Sequence, residues 1–274
     1  MYLNKIRGFL TFIKMNFMLR GNALYRLFFY IFYQILSKSP IRNIKIIRNF
    51  LKMEMKRIYR GRINGMKLFF RFEDIGVLRD IFIDKIYYVR ELEVCKSIVD
   101  AGAHIGAFSL FILSINPNIK KIICIEPEED NFKILTKNLK DIDNIQVELL
   151  RIALSNKRYL GKLYLKESSV AHTLEEKLKD SNTTKYEIVI VDKLDNIING
   201  NVDVVKIDVE GYENKVIDGM KSIIKLYKPK LIIEAGHFKN EKQIIIKKLK
   251  KIGYNCKVLK RKEPIIYAFN TQFY

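Results

Sequence analysis

The sequence predicts an α/β protein with a mostly parallel sheet, helices on both of its faces and a basic helical extension at the N-terminus. From Ser97 onward, short apolar segments typical of buried strands alternate with segments of helical periodicity. Several of these strands end on an acidic residue that has a glycine or proline within the next three residues. Residues 1–62 carry 14 Lys or Arg against a single acid, Glu54, so they hold +13 of the total charge of +20. We therefore expect an extension at residues 1–62 and one domain at residues 63–274.

Residues 1–60 are predicted to be helical, because basic residues are threaded among Phe, Tyr, Leu and Ile and no glycine or proline interrupts residues 23–39. Basic and aromatic side chains together suit a helix lying in the interface of an anionic membrane. Packing of the aromatic residues on the domain at residues 63–274 or on a second subunit explains them equally well. Next, the step from Ile63 through Asn64 and Gly65 to Met66 predicts a hairpin turn, with LFFRF as the return strand.

The segment Ser97–Leu110 predicts a buried strand, a nucleotide-binding turn and the start of a helix. Asp100 closes the strand, and Gly102 and Gly106 flank the turn. Small residues allow a ligand to approach the backbone, and the N–H groups of the helix N-terminus point at that ligand. The spacing, with His104 between the glycines, is not GxGxxG, and a glycine pair also suits a purely structural turn. A second signal is therefore needed to distinguish a ligand-binding turn from a structural one.

A second strand, KIICI, ends on Glu126, which lies 24 residues after Gly102. An acid at this distance commonly holds ribose hydroxyls, although a single acid at a strand end is often only a solvated loop residue. A helix is predicted after Pro127, because acids occupy its first turn and Phe132 and Leu135 begin an apolar stripe. Two acidic strand ends in succession indicate a nucleotide-type ligand.

The remaining elements continue the alternation of strands and helices. VDVVKIDVEG predicts a strand ending at Asp208, a helix should follow over residues 212–226, and KLIIEAG predicts a strand ending at Glu234. The other predicted elements are a strand at 145–152, the short β segments YLGKLYL and YEIVIV, a helix at 241–252, and the final strands YNCKVL and PIIYAFN.

Composition excludes several classes of protein. A hydrophobic content of 49% rules out general disorder. The cysteines are isolated and the histidines lie far apart, without any zinc-site spacing, so we expect a reducing cytoplasm and no metal. The apolar run at residues 27–36 is about half of the roughly 20 residues that a spanning helix needs. We expect a cytoplasmic protein that residues 1–62 can hold at the inner face of the membrane.

Five segments, in order, resemble S-adenosylmethionine-dependent methyltransferases of the FkbM type. They are VDAGAHIGAFSL, IEPEEDNFKILTKNL, RIALSN, VDKLDNI and VVKIDVEGYENKVIDG. The resemblance covers residues 97–235, and KIDVEGYE is its most specific part. It implies the class I methyltransferase fold, a Rossmann-like sheet of seven strands that ends in an antiparallel hairpin, and S-adenosylmethionine as cofactor. His104 stands where the family pattern usually has Asn, and the first 60 residues match nothing in it.

The resemblance also implies roles for individual residues. The turn at Asp100 and Gly102 would meet the methionine portion of the cofactor, Glu126 the ribose, and residues 151–153 the adenine edge. The residues expected to bind the cofactor are Asp100, Ala101, Gly102, His104, Gly106, Glu126, Pro127, Asn131, Ala153 and Asp208.

Three residues are candidates for the base that accepts the proton of an acceptor hydroxyl: Asp208, Glu210 and His237. Each lies at or just beyond a predicted strand end, where parallel sheets bind ligands. Each also has a purely structural explanation, as a partner of the Gly211 turn, as a first-turn helix acid and as a surface histidine, respectively. Lys206 precedes Asp208 by two residues and should share its face of the strand, so we expect the two to pair.

Three functions remain open. The first is O-methylation of a hydroxyl on a sugar, a glycan or a lipid-linked saccharide, with a saccharide or another small molecule as acceptor and residues 1–62 on an anionic membrane surface. The second is methylation of RNA with the same cofactor, because a positive net charge favours binding to nucleic acid. The sequence has no Asn/Asp-Pro-Pro-aromatic tetrad for a flipped base, and the charge excess lies outside the motifs. The third is a non-enzymatic binder of anionic surfaces, against which the acids at 100, 126, 208 and 210 argue.

Overall fold

The computed structural model describes residues 53–166, 172–174, 185–259 and 263–270. The helices predicted for residues 1–52, and with them most of the basic extension, lie outside these ranges and stay a prediction. The chain divides into two compact units, Met1–Asp84 and Lys85–Tyr274. This division falls later than the boundary near residue 62 that the sequence suggested.

The first unit contains an antiparallel hairpin of β1 (Ile58–Ile63) and β2 (Met66–Arg71), followed by α1 (Ile75–Phe82). Asn64 and Gly65 close the hairpin with φ of 48° and 82°, and two successive positive φ angles match the twist of the flanking strands. The predicted turn is confirmed. Residues 58–62, which the sequence assigned to the helical extension, belong to β1 instead, because every second residue there is buried, which is the period of a strand.

The second unit carries the predicted alternation of strands and helices. In chain order its elements are β3 (Ser97–Ala101), α2 (Ala107–Ile115), β4 (Lys121–Ile125), α3 (Glu129–Leu139), β5 (Gln146–Leu150), β6 (Ala153–Leu154), β7 (Tyr159–Tyr164), β8 (Tyr186–Asp192), α4 (Leu194–Ile197), β9 (Val204–Ile207), α5 (Glu213–Asp218), α6 (Lys221–Tyr227), β10 (Lys230–Glu234), α7 (Glu241–Lys251), β11 (Asn255–Leu259) and β12 (Ile265–Phe269).

Seven of these strands form one sheet in the order β11-β12-β10-β9-β3-β4-β5. The neighbours from β10 to β5 pair in parallel, and β12 is antiparallel to both β10 and β11. This confirms the predicted mostly parallel sheet of seven strands and its antiparallel final hairpin. The segments YLGKLYL and YEIVIV form β7 and β8 of a separate sheet with the order β6-β8-β7.

Two helices differ from the sequence-based prediction at a glycine. Helix α2 begins at Ala107 rather than Ile105, because Gly106 precedes it with a left-handed φ of 82°. The single helix predicted for residues 212–226 is divided into α5 and α6 at Gly219. A Cβ at that glycine would lie 2.1 Å from the backbone oxygen of Ser155, so the chain passes there only without a side chain.

The core positions the site by burying the central strands. Val99 of β3, Ile123 of β4, Val205 of β9 and Ile232 of β10 are at most 1% exposed. Strands buried on both faces require helices on both sides of the sheet. Because the central strands are parallel, their carboxyl ends meet at one edge of the sheet. In the part of the chain that the structure describes, no helix is both long enough and apolar enough to cross a membrane.

Candidate active site

The turn between β3 and α2 is left-handed at three positions. Gly102, His104 and Gly106 have φ of 77°, 52° and 82°. Histidine, like asparagine, is enriched at positive φ, which explains why His104 can replace the asparagine usual in the resembled family. A Cβ added to Gly102 would lie only 1.7 Å from the backbone oxygen of Asp208, which follows β9. The turn therefore lies directly against the carboxyl end of β9.

The buried ion pair of Asp100 and Lys206 stabilises this turn. Asp100 is fully buried, accepts a hydrogen bond from Ser109 at 2.8 Å and lies 3.3 Å from the Lys206 ammonium. Lys206 in turn donates to the carbonyl of Gly102 at 2.7 Å. Burial raises the pKa of Asp100, although Lys206 and Ser109 offset part of that rise. Asp100 thus acts here as a support of the turn.

Glu126 lies beside the same turn, at the end of β4. Its Oε2 accepts from the backbone N–H of His104 at 2.9 Å, and its Oε1 accepts from that of Glu128 at 3.0 Å. The side-chain amide of Asn131 lies 3.5 Å from Oε1. Burial raises the pKa of Glu126 to about 7. The structure therefore joins the two predicted acidic strand ends through one hydrogen-bonded turn.

The predicted cofactor residues cluster around the ends of β3 and β4, with two exceptions, Asp208 after β9 and Ala153. Ala153 lies after the end of β5, buried in β6 and paired with Val191. Nearby Arg151 forms ion pairs with Glu129 and Glu187. The residues brought together around β3 and β4 are Asp100, Ala101, Gly102, His104, Gly106, Glu126, Pro127 and Asn131.

A second acidic group lies where β9 and β10 end, next to the Gly102 turn. The Tyr87 hydroxyl donates to Asp208 Oδ2 at 2.9 Å and also contacts Glu234 Oε2. The predicted pair of Lys206 and Asp208 is present at 3.6 Å, and the Lys206 ammonium lies 5.4 Å from the centre of the Tyr87 ring. Burial, followed by the charge of Asp208, raises the pKa of Glu234 to about 7. The single Tyr87 hydroxyl thus bridges two carboxyl groups.

His237 lies among three carboxylates. Its Nε2 is 3.3 Å from Glu213 Oε1 and 3.9 Å from Asp208 Oδ1, and its Nδ1 is 3.5 Å from Glu210 Oε2. Burial lowers the pKa of His237, but these carboxylates, Glu213 first, outweigh burial and raise it to about 10. Burial and the charge of Asp208 raise the pKa of Glu210 to about 8. At neutral pH the ring is thus a paired cation and Glu210 is largely protonated. Asp208 is therefore the better proton acceptor among the predicted candidates, and Glu210 becomes one only above about pH 8.

Sequence reasoning missed Tyr87, Glu213 and Glu241. Tyr87 reaches Asp208 across 121 residues of chain, so no local pattern connects the two. Glu213 was visible only as part of the KIDVEGYE segment. Its Oε1 accepts from the N–H groups of Val209 and Gly211, which explains why that motif ends in an acid.

Comparison with known proteins identifies the family of this chain. The family described as Methyltransferase FkbM domain matches residues 100–256. A curated relative, Methyltransferase sdnD from Sordaria araneosa, is 36% identical over 81 residues, which are 29% of this chain and 31% of that protein. A solved structure, Methyltransferase FkbM from Methylobacillus flagellatus KT, has a TM-score of 0.52 at 16% identity and covers 83% of this chain and 60% of its own. The structural match shows a shared fold.

Proposed function

Because this chain belongs to the FkbM methyltransferase family, we propose that it transfers a methyl group from S-adenosylmethionine to a hydroxyl of a sugar, a glycan or a lipid-linked saccharide. One observation carries the proposal. The Gly102 turn, which is expected to meet the cofactor, touches the backbone of Asp208, and the Asp208 side chain belongs to the acidic group at the ends of β9 and β10. A cofactor turn and a proton acceptor are thereby adjacent at the edge where parallel sheets bind ligands.

The residues present fit S-adenosylmethionine. The Gly102 turn leads into α2 and packs against the Asp208 backbone, and the carboxylate at the end of β4, Glu126, suits a ribose. The acids at the ends of β9 and β10 favour a positively charged ligand. When bound, the cofactor supplies an activated methyl group on a sulfonium, so the protein has mainly to align the acceptor oxygen and exclude water.

Asp208 is the proposed base. The proton of the acceptor hydroxyl passes to Asp208 as the oxygen attacks. The Tyr87 hydroxyl, which bridges Asp208 and Glu234, offers a route by which that proton reaches Glu234. With a pKa raised by burial to about 7, Glu234 can hold the proton near neutral pH and release it afterwards. The Glu210 carboxylate is directed at His237 Nδ1 instead, and it is the alternative base.

The cofactor half of the proposal is tested by calorimetry on the purified protein. We expect binding of S-adenosylmethionine and S-adenosylhomocysteine and none of NAD. A preference for NAD would overturn the proposal.

The acceptor half is tested by mass spectrometry of glycans, lipids and RNA from cells with and without the gene. Loss of methyl groups from a glycan or a lipid-linked saccharide is the expected result, and loss from ribosomal or transfer RNA alone would refute a saccharide acceptor. With the acceptor in hand, Asp208→Asn should lower turnover about 10²–10⁴-fold, far more than it lowers cofactor affinity. The control, Asp218→Asn, alters a half-buried aspartate paired with Lys248 and should leave turnover unchanged. Normal turnover in Asp208→Asn would assign the base to Glu210.

A further inference from the structure

Three side chains next to the acidic group lie close together and carry buried polar atoms. They are Glu213 at the start of α5, His237 after β10 and Glu241 at the start of α7. Glu213 and Glu241 are 0% and 1% exposed. Within the described residues, Glu213 Oε2, His237 Nε2 and Glu241 Oε1 are buried atoms that have no hydrogen-bond partner. One ligand atom from each residue lies within 4.8 Å of the others. Buried polar atoms without partners are rare in folded proteins and call for a ligand.

Each glutamate is already fixed through its other oxygen. Glu213 Oε1 accepts from the backbone N–H groups of Val209 and Gly211, at 2.9 and 3.2 Å. Glu241 Oε2 accepts from the backbone N–H of His237 at 2.8 Å. The two carboxylates are therefore held in place by the fold, and each keeps one oxygen for a further partner. Burial and the contact with Glu213 raise the pKa of Glu241 to about 8, so without a metal ion the two glutamates can share a proton, which a bound cation would displace.

His237 is oriented for the same purpose. Its Nδ1 faces the Glu210 carboxylate at 3.5 Å, and its Nε2 faces the glutamates. A carboxylate on one ring nitrogen fixes the tautomer that leaves the other nitrogen free as a ligand, an arrangement typical of metal-binding histidines. The approach of Nε2 to Glu213 Oε1, at 3.3 Å, is an ionic contact without hydrogen-bond geometry.

We propose that Glu213, His237 and Glu241 bind a first-row divalent metal ion such as Zn²⁺ or Mn²⁺. Once the ion has displaced the proton from His237 Nε2, two carboxylates and a neutral imidazole carry a charge of −2, which a divalent ion balances, and one nitrogen with two oxygens is a donor set that these ions accept. Ligand atoms bound to one ion at about 2 Å are about 3–4 Å apart, which is within the range observed here. The ion ties the starts of α5 and α7 to the loop after β10.

The neighbouring group of Asp208, Glu234 and His237 is the competing site, since its ligand atoms also lie within 4.8 Å of one another. There, however, Asp208 and Glu234 already contact the Tyr87 hydroxyl, and Lys206 places a positive charge 3.6 Å from Asp208. A cation beside a metal ion disfavours its binding. The two sites share only His237. Glu234, which ends β10, belongs to one site and Glu241, which begins α7, to the other, so Glu234→Gln is a control for Glu241→Gln.

The test uses the full-length protein, freed of metal with a chelator and titrated with Zn²⁺ or Mn²⁺ alone. We expect one equivalent to bind and to raise the melting temperature, because an ion that binds only the folded state stabilises it. Glu241→Gln should weaken binding at least tenfold, Glu210→Gln about 10–100-fold through the orientation of His237, and Glu234→Gln not at all.

Several outcomes would overturn the proposal. Failure of both ions to bind would show that a proton shared between Glu213 and Glu241 satisfies the cluster. Binding lost in Glu234→Gln and kept in Glu241→Gln would place the ion in the competing site. If Glu241→Gln does not fold, nitrogen resonances of His237 in the unmodified protein decide, since Zn²⁺ must shift Nε2 and leave Nδ1 protonated. The assay needs no methyl acceptor, so its failure leaves the proposed function standing.

Discussion

Replacing Gly102 by alanine should destabilise the protein far more than replacing Gly253 by alanine. Both glycines have left-handed φ angles, +77° and +88°. At Gly253 an added Cβ meets nothing within 4 Å, so alanine there costs only the backbone conformation, about 1–2 kcal/mol. At Gly102 the Cβ would lie 1.7 Å from the Asp208 backbone oxygen, and the turn must move away from β9. Overpacking of this kind adds about 1–3 kcal/mol, which brings the expected loss to about 2–5 kcal/mol.

Urea unfolding of both variants and of the unmodified protein measures this difference as a shift of the midpoint at constant slope. Calorimetry should also show weaker binding of S-adenosylmethionine in Gly102→Ala and unchanged binding in Gly253→Ala. Equal losses of stability in the two variants would refute the reasoning, because glycine would then be required at position 102 only for its positive φ and not for the close approach to Asp208.

Three further predictions concern the buried groups and the basic extension. Tyr87→Phe should destabilise the protein more than Tyr254→Phe in urea unfolding, because Tyr87 serves two carboxyl groups whereas Tyr254 donates to a neutral carbonyl at 2.8 Å; equal losses would contradict this. Burial raises the pKa of Glu126 from 4.5 to about 7, so its contribution to stability is complete below pH 4.5 and is lost as pH rises through about 7. Denaturation at a series of pH values should show a difference of up to about 3 kcal/mol between the unmodified protein and Glu126→Gln developing across that window, and parallel profiles would disprove the shift. The full-length chain should sediment with anionic vesicles but not with neutral ones, and this binding should weaken as salt rises. A chain that starts at Met53 and keeps the β1–β2 hairpin should stay in solution. Equal sedimentation of both chains would show that the extension does not bind the membrane.

Much of the fold could be predicted because the signals that specify it are local. A buried parallel strand appears as a short apolar run, and the helix after it shows its own periodicity, so β3, β4, β9 and β10 were each visible in the sequence. The hairpin at Asn64 and Gly65 was visible for the same reason, since the turn type depends on its own two residues.

Part of the candidate site was equally visible. Asp100, Glu126 and Asp208 each follow a predicted strand, and the carboxyl ends of parallel strands meet at one edge. What each side chain does at that edge was not visible. Asp100 appeared as a ligand of the cofactor, but the structure buries it against Ser109 and Lys206. Burial and pairing depend on which segments meet, and a single segment does not specify that.

The sequence by itself determined the alternation of elements, the acidic strand ends and the resemblance to FkbM methyltransferases, because each depends on a pattern of a few consecutive residues. Only the tertiary structure decided that Tyr87 bridges Asp208 and Glu234, that Gly102 touches β9, and that Glu213, His237 and Glu241 converge. Contacts of this kind join residues from separate crossover units, and their geometry depends on how strands and helices pack. Cysteine and histidine spacing, from which no structural metal was predicted, gives no information on whether two glutamates and one histidine from three different segments meet.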